Sequence, residues 1–449
     1  MELPKVLGFW DGIAVSVGLI IGAGIFMTAP GVCAMFTTPG PALFLWLLGA
    51  VLSTLGALTF AELAATHPKT GGIYVFLLEG FGRPFAFVFG WKQLVMAPAG
   101  LGALGVAFAS FFTQFFGVEW DPAAVATVTI AVLTAVSVFS TRHAALVMKV
   151  FTSIKVLALA ALIVLGAALI SPNPGHFTGL ATFEAVQPDM TFLGAMGLGL
   201  FAVVWTYGGW ETVTMMSGET RDPQKTMPRI ILGSILVVTV IYLAVNLVYV
   251  NALGVAGIGA STNVAGDTGT RMLGNAFGSA ITFMILCSIF GAINGTVLTN
   301  ARVTYALARS GLAFRFFGYQ HPKLETPIAA LVWQGVASIA FIFIAPHFFE
   351  LLGYQVLADT GFFVLAAASL FMFRHRGDPS PFRVPLYPWT PLLFILLNVA
   401  MMVNEFFARP GASGIILGIL AAGFPVYLLW RVCVPSRQAE PATPERSPL

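Results

Sequence analysis

The chain has 449 residues, 58% of them hydrophobic and only 9% charged, with a mean hydropathy of +0.89 and a formal net charge of +3. Soluble domains average about 25% charged residues, so the composition excludes a water-soluble domain and makes the bilayer the solvent. The small positive charge belongs to loops between apolar runs and offers no surface for nucleic acid.

Those runs are long enough for helices, which need roughly 20 apolar residues to cross the hydrocarbon. The pattern predicts twelve helical spans, at 10–35, 41–65, 84–112, 122–140, 145–170, 190–217, 228–252, 276–308, 327–345, 348–373, 389–408 and 412–433. They are too long and too apolar for barrel strands. The first begins near Trp10 with no small-residue cleavage site after it, so it is expected to stay in the mature protein. Five spans fill about 10–170 and five more about 190–373. Five is odd, so the second set enters the membrane from the opposite side, and the two sets read as an inverted repeat. The spans in 389–433 lie outside it. The expected organisation is one transmembrane domain, 1–433, followed by a polar, proline-rich, disordered cytoplasmic tail, 434–449.

Basic residues set the orientation. One set of loops carries Lys5, Lys69, Arg83, Arg142, Arg221, Lys225, Arg229, Arg309, Arg315, Lys323, Arg374, Arg376, Arg383, Arg431, Arg437 and Arg446. The opposite set has only Arg271 and Arg409, beside Glu119, Asp121, Glu184, Asp189, Asp267 and Glu350. The positive-inside rule then puts both termini in the cytoplasm.

Two spans are interrupted by glycines at corresponding places in the two halves. The first contains Gly18-Leu19-Ile20-Ile21-Gly22-Ala23-Gly24-Ile25-Phe26, the second Trp205-Thr206-Tyr207-Gly208-Gly209-Trp210-Glu211. Glycine costs about 1 kcal/mol relative to alanine inside a helix. Backbone groups freed in lipid cost several kcal/mol unless protein or a watery cavity satisfies them. Small residues also let membrane helices pack closely. A matched pair at the openings of two five-span units points instead to a transporter site at the midplane. A half-helix N-terminus suits an anion, and a half-helix C-terminus suits a cation.

At these residues the chain resembles the amino acid–polyamine–organocation transporters, and within them the L-amino-acid transporter branch and its bacterial relatives. Further likeness lies in Ala61-Glu62-Leu63, Pro68-Lys69-Thr70-Gly71-Gly72-Ile73-Tyr74, Gly218-Glu219-Thr220-Arg221-Asp222-Pro223, Asn294-Gly295-Thr296, Ala301-Arg302-Val303-Thr304-Tyr305-Ala306 and Phe382-Arg383-Val384-Pro385-Leu386-Tyr387-Pro388. The resemblance implies an all-α, LeuT-like fold with helices 1 and 6 broken, and amino acid transport by alternating access. By position, the amides of Gly22, Ala23 and Gly24 would meet the substrate carboxylate. The carbonyls of Ile20, Trp205, Thr206 and Gly208 would meet its ammonium. Trp205 stands where relatives place a gating aromatic. Ala23 replaces a serine common in relatives, so only its backbone contact carries over. Asn294 and Thr296 would face the pocket, or else bond between helices.

Ionisable residues within spans are costly, at least ~2.5 kcal/mol at mid-bilayer, and so mark function. Lys155 matches a lysine of sodium-independent members. The resemblance implies that its ammonium replaces a sodium ion between the first and eighth spans, with proton exchange as a further possibility. It lies about ten residues, or roughly 15 Å, into its span, which is deep for a lysine reaching to the interface. Glu211 stands where neutral amino acid members often have asparagine and basic amino acid or polyamine members a carboxylate. It could contact the substrate ammonium, bind a proton, favour a cationic substrate, or be satisfied by neighbouring backbone. Lys92 could pair with Glu211 or reach the cytoplasmic edge. Asp359 could bind a proton or partner a polar group in the bundle. Glu62, Glu219 and Arg302, near span ends, read as gate or loop-anchoring charges.

Cys33, Cys287 and Cys433 have no paired spacing, so no metal or disulfide is expected. His67, His143, His176, His321, His347 and His375 lie in loops or at span edges with no ligand-spaced pair, which argues against a membrane-embedded enzyme. No filter motif supports the other class weighed, an ion channel or sensor. The expectation is a sodium-independent secondary transporter of neutral L-amino acids, an exchanger or proton-coupled symporter, with basic amino acids or polyamines as the alternative. No cofactor, nucleic acid or accessory subunit is expected. The partners are the amino acid, the lipid bilayer and, as a candidate coupling ion, the proton. The place is a bacterial inner membrane.

Overall fold

The computed structural model describes residues 8–69, 71–139, 141–182, 187, 190–322, 324, 326–345 and 347–433. The predicted tail 434–449, Lys5, Glu184, Asp189 and Lys323, and the side chains of Arg142 and Glu219, lie outside the described residues.

Among the described residues, helix fills most of each predicted span. The first half holds α1 (Phe9–Ile20), α2 (Gly24–Cys33), α3 (Pro39–Thr66), α4 (Ile73–Phe81), α5 (Arg83–Val95), α6 (Ala97–Phe116), α7 (Pro122–Phe139) and α8 (Thr141–Leu169). The second holds α9 (Phe192–Tyr207), α10 (Pro223–Ala260), α11 (Val264–Leu273), α12 (Asn275–Arg309), α13 (Ile328–Ile344), α14 (Phe348–Arg376), α15 (Trp389–Ala408) and α16 (Pro410–Cys433). Among the described residues nine helical stretches are long and apolar enough to cross a membrane, or ten if the bent α1–α2 pair is one span. The Ile154–Leu169 part of α8, and α13 (Ile328–Ile344), are shorter apolar stretches.

Several elements depart from the predicted pattern for local reasons. The third predicted span is two helices, α5 and α6, parted at Met96 where Pro98 opens the second. Proline lacks an N–H and favours a helix's first turn. α4 and α11 were not expected as helices. α11 follows α10 through an Asn263 cap, whose side chain accepts from the Gly266 N–H at 3.1 Å. α10 runs longer than its predicted span and turns at Gly254, where φ is +68°. The predicted sixth span does not continue as an α-helix beyond its break: a 3₁₀ helix, Thr212–Glu219, follows α9.

Lipid is as apolar as leucine, so packing rather than the hydrophobic effect holds such helices together. α3 lies between α9 and α10, and α12 runs beside α6 and α8. Buried aromatics knit the two breaks to this frame: the Tyr242 ring lies 5.0 Å from Tyr207 and 5.8 Å from Trp46, centroid to centroid. Below them Trp210 meets Phe60 edge-on at 5.1 Å.

One end of the bundle is pinned by charge. Arg374 of α14 donates through Nε and Nη2 to the two oxygens of Glu62 on α3, at 2.8 and 2.7 Å. The Val384 N–H also donates to Glu62 Oε2, at 2.6 Å. The guanidinium lies 3.9 Å above the Tyr387 ring. Glu62 is 2% exposed, so the bidentate pair acts where water screens it little. Glu62 anchors the 377–388 loop onto α3. Beside it Lys69 pairs with Glu79 at 2.7 Å, which holds the Glu79 carboxyl below its ordinary range.

Candidate functional site

A cavity of about 690 Å³ opens between the two helix breaks and is lined by segments of α1, α2, α6, α8, α9, α12 and α14. At the first break, α1 and α2 meet at 44°. α1 ends because Ile21 turns to extended backbone, with its N–H still donating to Val17 O at 2.9 Å. The carbonyls released at this end find other donors. Lys155 Nζ donates to Gly18 O at 2.7 Å, and the Tyr242 hydroxyl reaches Ile20 O at 3.1 Å.

α2 starts at Gly24 with Ala23 as its N-cap, and no side chain caps it. The first N–H groups of a helix have no partner within the helix. Here they lie at a cavity lined by Gly22, Ala23 and Gly24. The positive end of a helix and its free donors form an anion site. The three glycine-region positions are not equivalent. A Cβ on Gly22 would find nothing closer than Ile20 O at 4.0 Å, whereas one on Gly24 would meet Thr206 Oγ1 at 2.8 Å and the Trp205 ring at 3.0 Å. Gly24 is therefore also the contact between the two breaks.

At the second break α9 ends at Tyr207, and Gly208 turns extended. Gly209 has φ +112°, and a Cβ there would lie 3.0 Å from Leu19 O and 3.2 Å from Ile20 Cα. Only glycine combines that φ with so close a backbone approach. Trp205 O already accepts from the Gly208 N–H at 2.9 Å, and Thr206 O from the Tyr242 hydroxyl at 3.0 Å. Three of the four carbonyls expected to face an ammonium, those of Ile20, Trp205 and Thr206, thus already hold a bond. A carbonyl oxygen carries two lone pairs. The Thr206 side chain bonds Thr28 of α2 at 2.8 Å, so its hydroxyl is part of the inter-break contact.

Tyr242 of α10 was not among the expected site residues. It is fully buried, and its one hydroxyl proton is shared between the carbonyls of Ile20 and Thr206. Tyr242 is one of several uncharged polar residues in its span, with Ser234, Thr239, Asn246, Tyr249 and Asn251, and no sequence signal separates it from them.

Lys155 sits at the middle of α8, is buried, and lines the cavity. Its observed bond goes to α1; on α12, Ser288 lines the same cavity. Glu211 lines the cavity and accepts from the Gly209 N–H at 2.9 Å, with Thr212 Oγ1 at 3.4 Å. The carboxylate thus caps its own turn, as expected of one satisfied by neighbouring backbone.

Lys92 does not pair with Glu211. Its Nζ donates to Asp359 Oδ1 and, at 2.8 Å, to Gln93 Oε1. It is 2% exposed, which also corrects the expectation that it reaches the cytoplasmic edge. α5 turns this side chain toward α14. Asp359 is its partner in the bundle and lines the cavity.

Thr296 lines the cavity with Gly291, Ala292, Gly295, Thr299 and Asn300. Asn294 does not. At about 100° per residue it falls on the opposite face of α12 from those positions, and it is fully buried. Among the described residues, no group of three or more His, Cys, Asp or Glu could hold a metal ion. Cys33 is buried.

Comparison with known proteins agrees with this architecture. Residues 7–428 match the family model described as amino acid permease. The chain is 32% identical over 435 residues to the serine/threonine exchanger SteT of Bacillus subtilis, covering 95% of this chain and 96% of that one. It is 32% identical to the mouse b(0,+)-type amino acid transporter 1, covering 91% and 84%. It is 30% identical to the rat large neutral amino acids transporter small subunit 2, covering 96% and 81%. The chain belongs to the amino acid permease family and is an integral membrane transporter of amino acids.

Proposed function

We propose that the chain is a sodium-independent transporter of neutral L-amino acids that works by alternating access, as an exchanger or a proton-coupled symporter. The observation that carries this reading is the pairing of an uncapped α2 N-terminus with Lys155 Nζ on Gly18 O. The helix end offers donors to a substrate carboxylate. The ammonium stands where a helix C-terminus would otherwise attract a cation. A built-in cation at that place removes the need for a sodium ion.

The substrate carboxylate would take the amides of Gly22, Ala23 and Gly24. Its ammonium would take the carbonyls of Ile20, Trp205, Thr206 and Gly208, with the Trp205 ring as the gate and Thr296 on the facing wall. The serine/threonine exchanger and the large neutral amino acid transporter among the relatives favour a neutral substrate. The five-plus-five inverted repeat, the twelve-span count, cytoplasmic termini and a bacterial inner membrane complete the reading. They rest on the matching breaks and on the bias of basic residues to one set of loops. The chain would act without an accessory subunit, and it is a carrier rather than an enzyme.

The test is uptake by proteoliposomes, empty or preloaded with amino acid, against a panel of amino acids with choline or sodium outside and with or without a pH gradient. Saturable uptake of serine, threonine, alanine or leucine, indifferent to sodium, is expected. Stimulation by internal amino acid identifies exchange, and stimulation by the pH gradient identifies symport. A strict sodium requirement, or preference for arginine or a polyamine, would overturn the reading.

A further inference from the structure

The Lys92–Asp359 pair lies in the wall of the transport cavity, and nothing described so far uses it. Asp359 lines the cavity on the same face of α14 as Gln355 and Phe363, and its side chain is 26% exposed. Lys92, on α5, stands behind that wall at 2% exposure. Its ammonium is turned to Asp359 and to Gln93 Oε1. Glu211 lines the same cavity as Asp359. Among the described residues, the ionisable groups lining the cavity are Lys155, Glu211 and Asp359. Lys155 is committed to Gly18 O. With every group ionised, these three sum to one negative charge, and Lys92 brings the total to zero.

We propose that Lys92 is a specificity-determining residue: it supplies, from inside the protein, the cation that would otherwise be the side chain of a basic amino acid. Asp359 is the carboxylate such a substrate would seek. With Lys92 held against it, Asp359 presents hydrogen-bond acceptors to the cavity but no net charge. A second ammonium or guanidinium entering there meets a neutralised partner and the field of Lys92 itself. Like charges at close range in a poorly solvated site repel strongly, and selectivity is often set by what the site disfavours. A neutral side chain meets neither penalty. This inference rests on the neutral-substrate reading above and names the residue that enforces it.

Two variants make opposite predictions. Lys92→Gln leaves Asp359 uncompensated, so the apparent affinity for arginine or lysine relative to leucine and serine should rise by at least about tenfold. Asp359→Asn leaves Lys92 uncompensated, so basic competitors should be rejected further. Glutamate should then gain by a similar factor against the same neutral standards. The double variant Lys92→Gln/Asp359→Asn should return to the wild-type ratios. The assay is competition against uptake of a labelled neutral amino acid by proteoliposomes. Where one single variant does not reach the membrane, the other decides alone. Wild-type ratios in the single variants would overturn the proposal. So would loss of both single variants from the membrane while the double variant persists, which marks a purely structural pair. A wild type that already prefers arginine would defeat the neutral-substrate reading itself. A neutral-preferring wild type whose variants keep its ratios would defeat only the role of Lys92.

Discussion

Tyr242→Phe removes one oxygen atom from the place where the two helix breaks are tied together. The ring remains, with its contacts to Tyr207 and Trp46. What is lost is the proton shared by Ile20 O and Thr206 O, at 3.1 and 3.0 Å. A neutral hydrogen bond contributes about 1 kcal/mol net, and a buried acceptor left without its donor costs about 1–3 kcal/mol. Both carbonyls lie at helix ends, where no backbone donor follows to replace the hydroxyl. The expected loss is about 1–2 kcal/mol of coupling between the breaks, a factor of roughly 5–30 in an equilibrium. It should fall on the conformations in which both breaks hold the substrate. Apparent KM for the best-transported amino acid should rise by about that factor, with the protein present in the membrane at wild-type level. The assay is initial-rate uptake over a substrate series, with surface or detergent-extracted protein quantified in parallel. An unchanged KM and unchanged exchange rate would refute the idea that this hydroxyl joins the breaks.

Gly24→Val places branched carbons against Thr206 and the Trp205 ring, and is expected to abolish amino acid binding while the protein still reaches the membrane; binding assays on purified protein check it. Lys155→Ala removes the donor to Gly18 O and should lower transport about tenfold or more, since a buried hydrogen bond to a charged group is worth about 1.5–3 kcal/mol; the wild type should transport equally in sodium and in choline. Glu62→Gln leaves Arg374 with a neutral partner for its bidentate fork. Arg374 is 22% exposed and glutamine keeps one acceptor for it, so the loss should be about 1.5–3 kcal/mol, and this variant should lose thermal stability in detergent more than Lys69→Gln, whose pair with Glu79 is exposed.

The sequence made some of this architecture legible and hid the rest for identifiable reasons. Both breaks were visible because glycine interrupts an apolar run at positions where lipid tolerates no loose backbone. Gly209 shows the strength of that signal: its φ and its approach to Leu19 and Ile20 admit no side chain. Lys155 was visible because it lies too deep in its span to snorkel readily to the interface. Asp359 and Lys92 were each visible as charges but not as a pair. They are 267 residues apart in the chain, and only the packing of α5 against the cavity wall joins them. Glu211 was ambiguous because a carboxylate next to a break can serve a ligand or its own turn; its bond to the Gly209 N–H appears only with the fold. Tyr242 carries no charge and sits in a span with several other uncharged polar residues, so nothing singles it out. Thr296 and Asn294 are two residues apart, and helical geometry alone puts one at the cavity and the other behind it.

The two-break substrate site is tested by a structure of the protein in lipid with its best-transported neutral amino acid bound, determined without sodium. The ligand's carboxylate should lie within hydrogen-bond distance of the N–H groups of Gly22, Ala23 and Gly24, with Lys155 Nζ still on Gly18 O. Ligand bound elsewhere in the cavity, with the α2 N-terminus unoccupied, would contradict it.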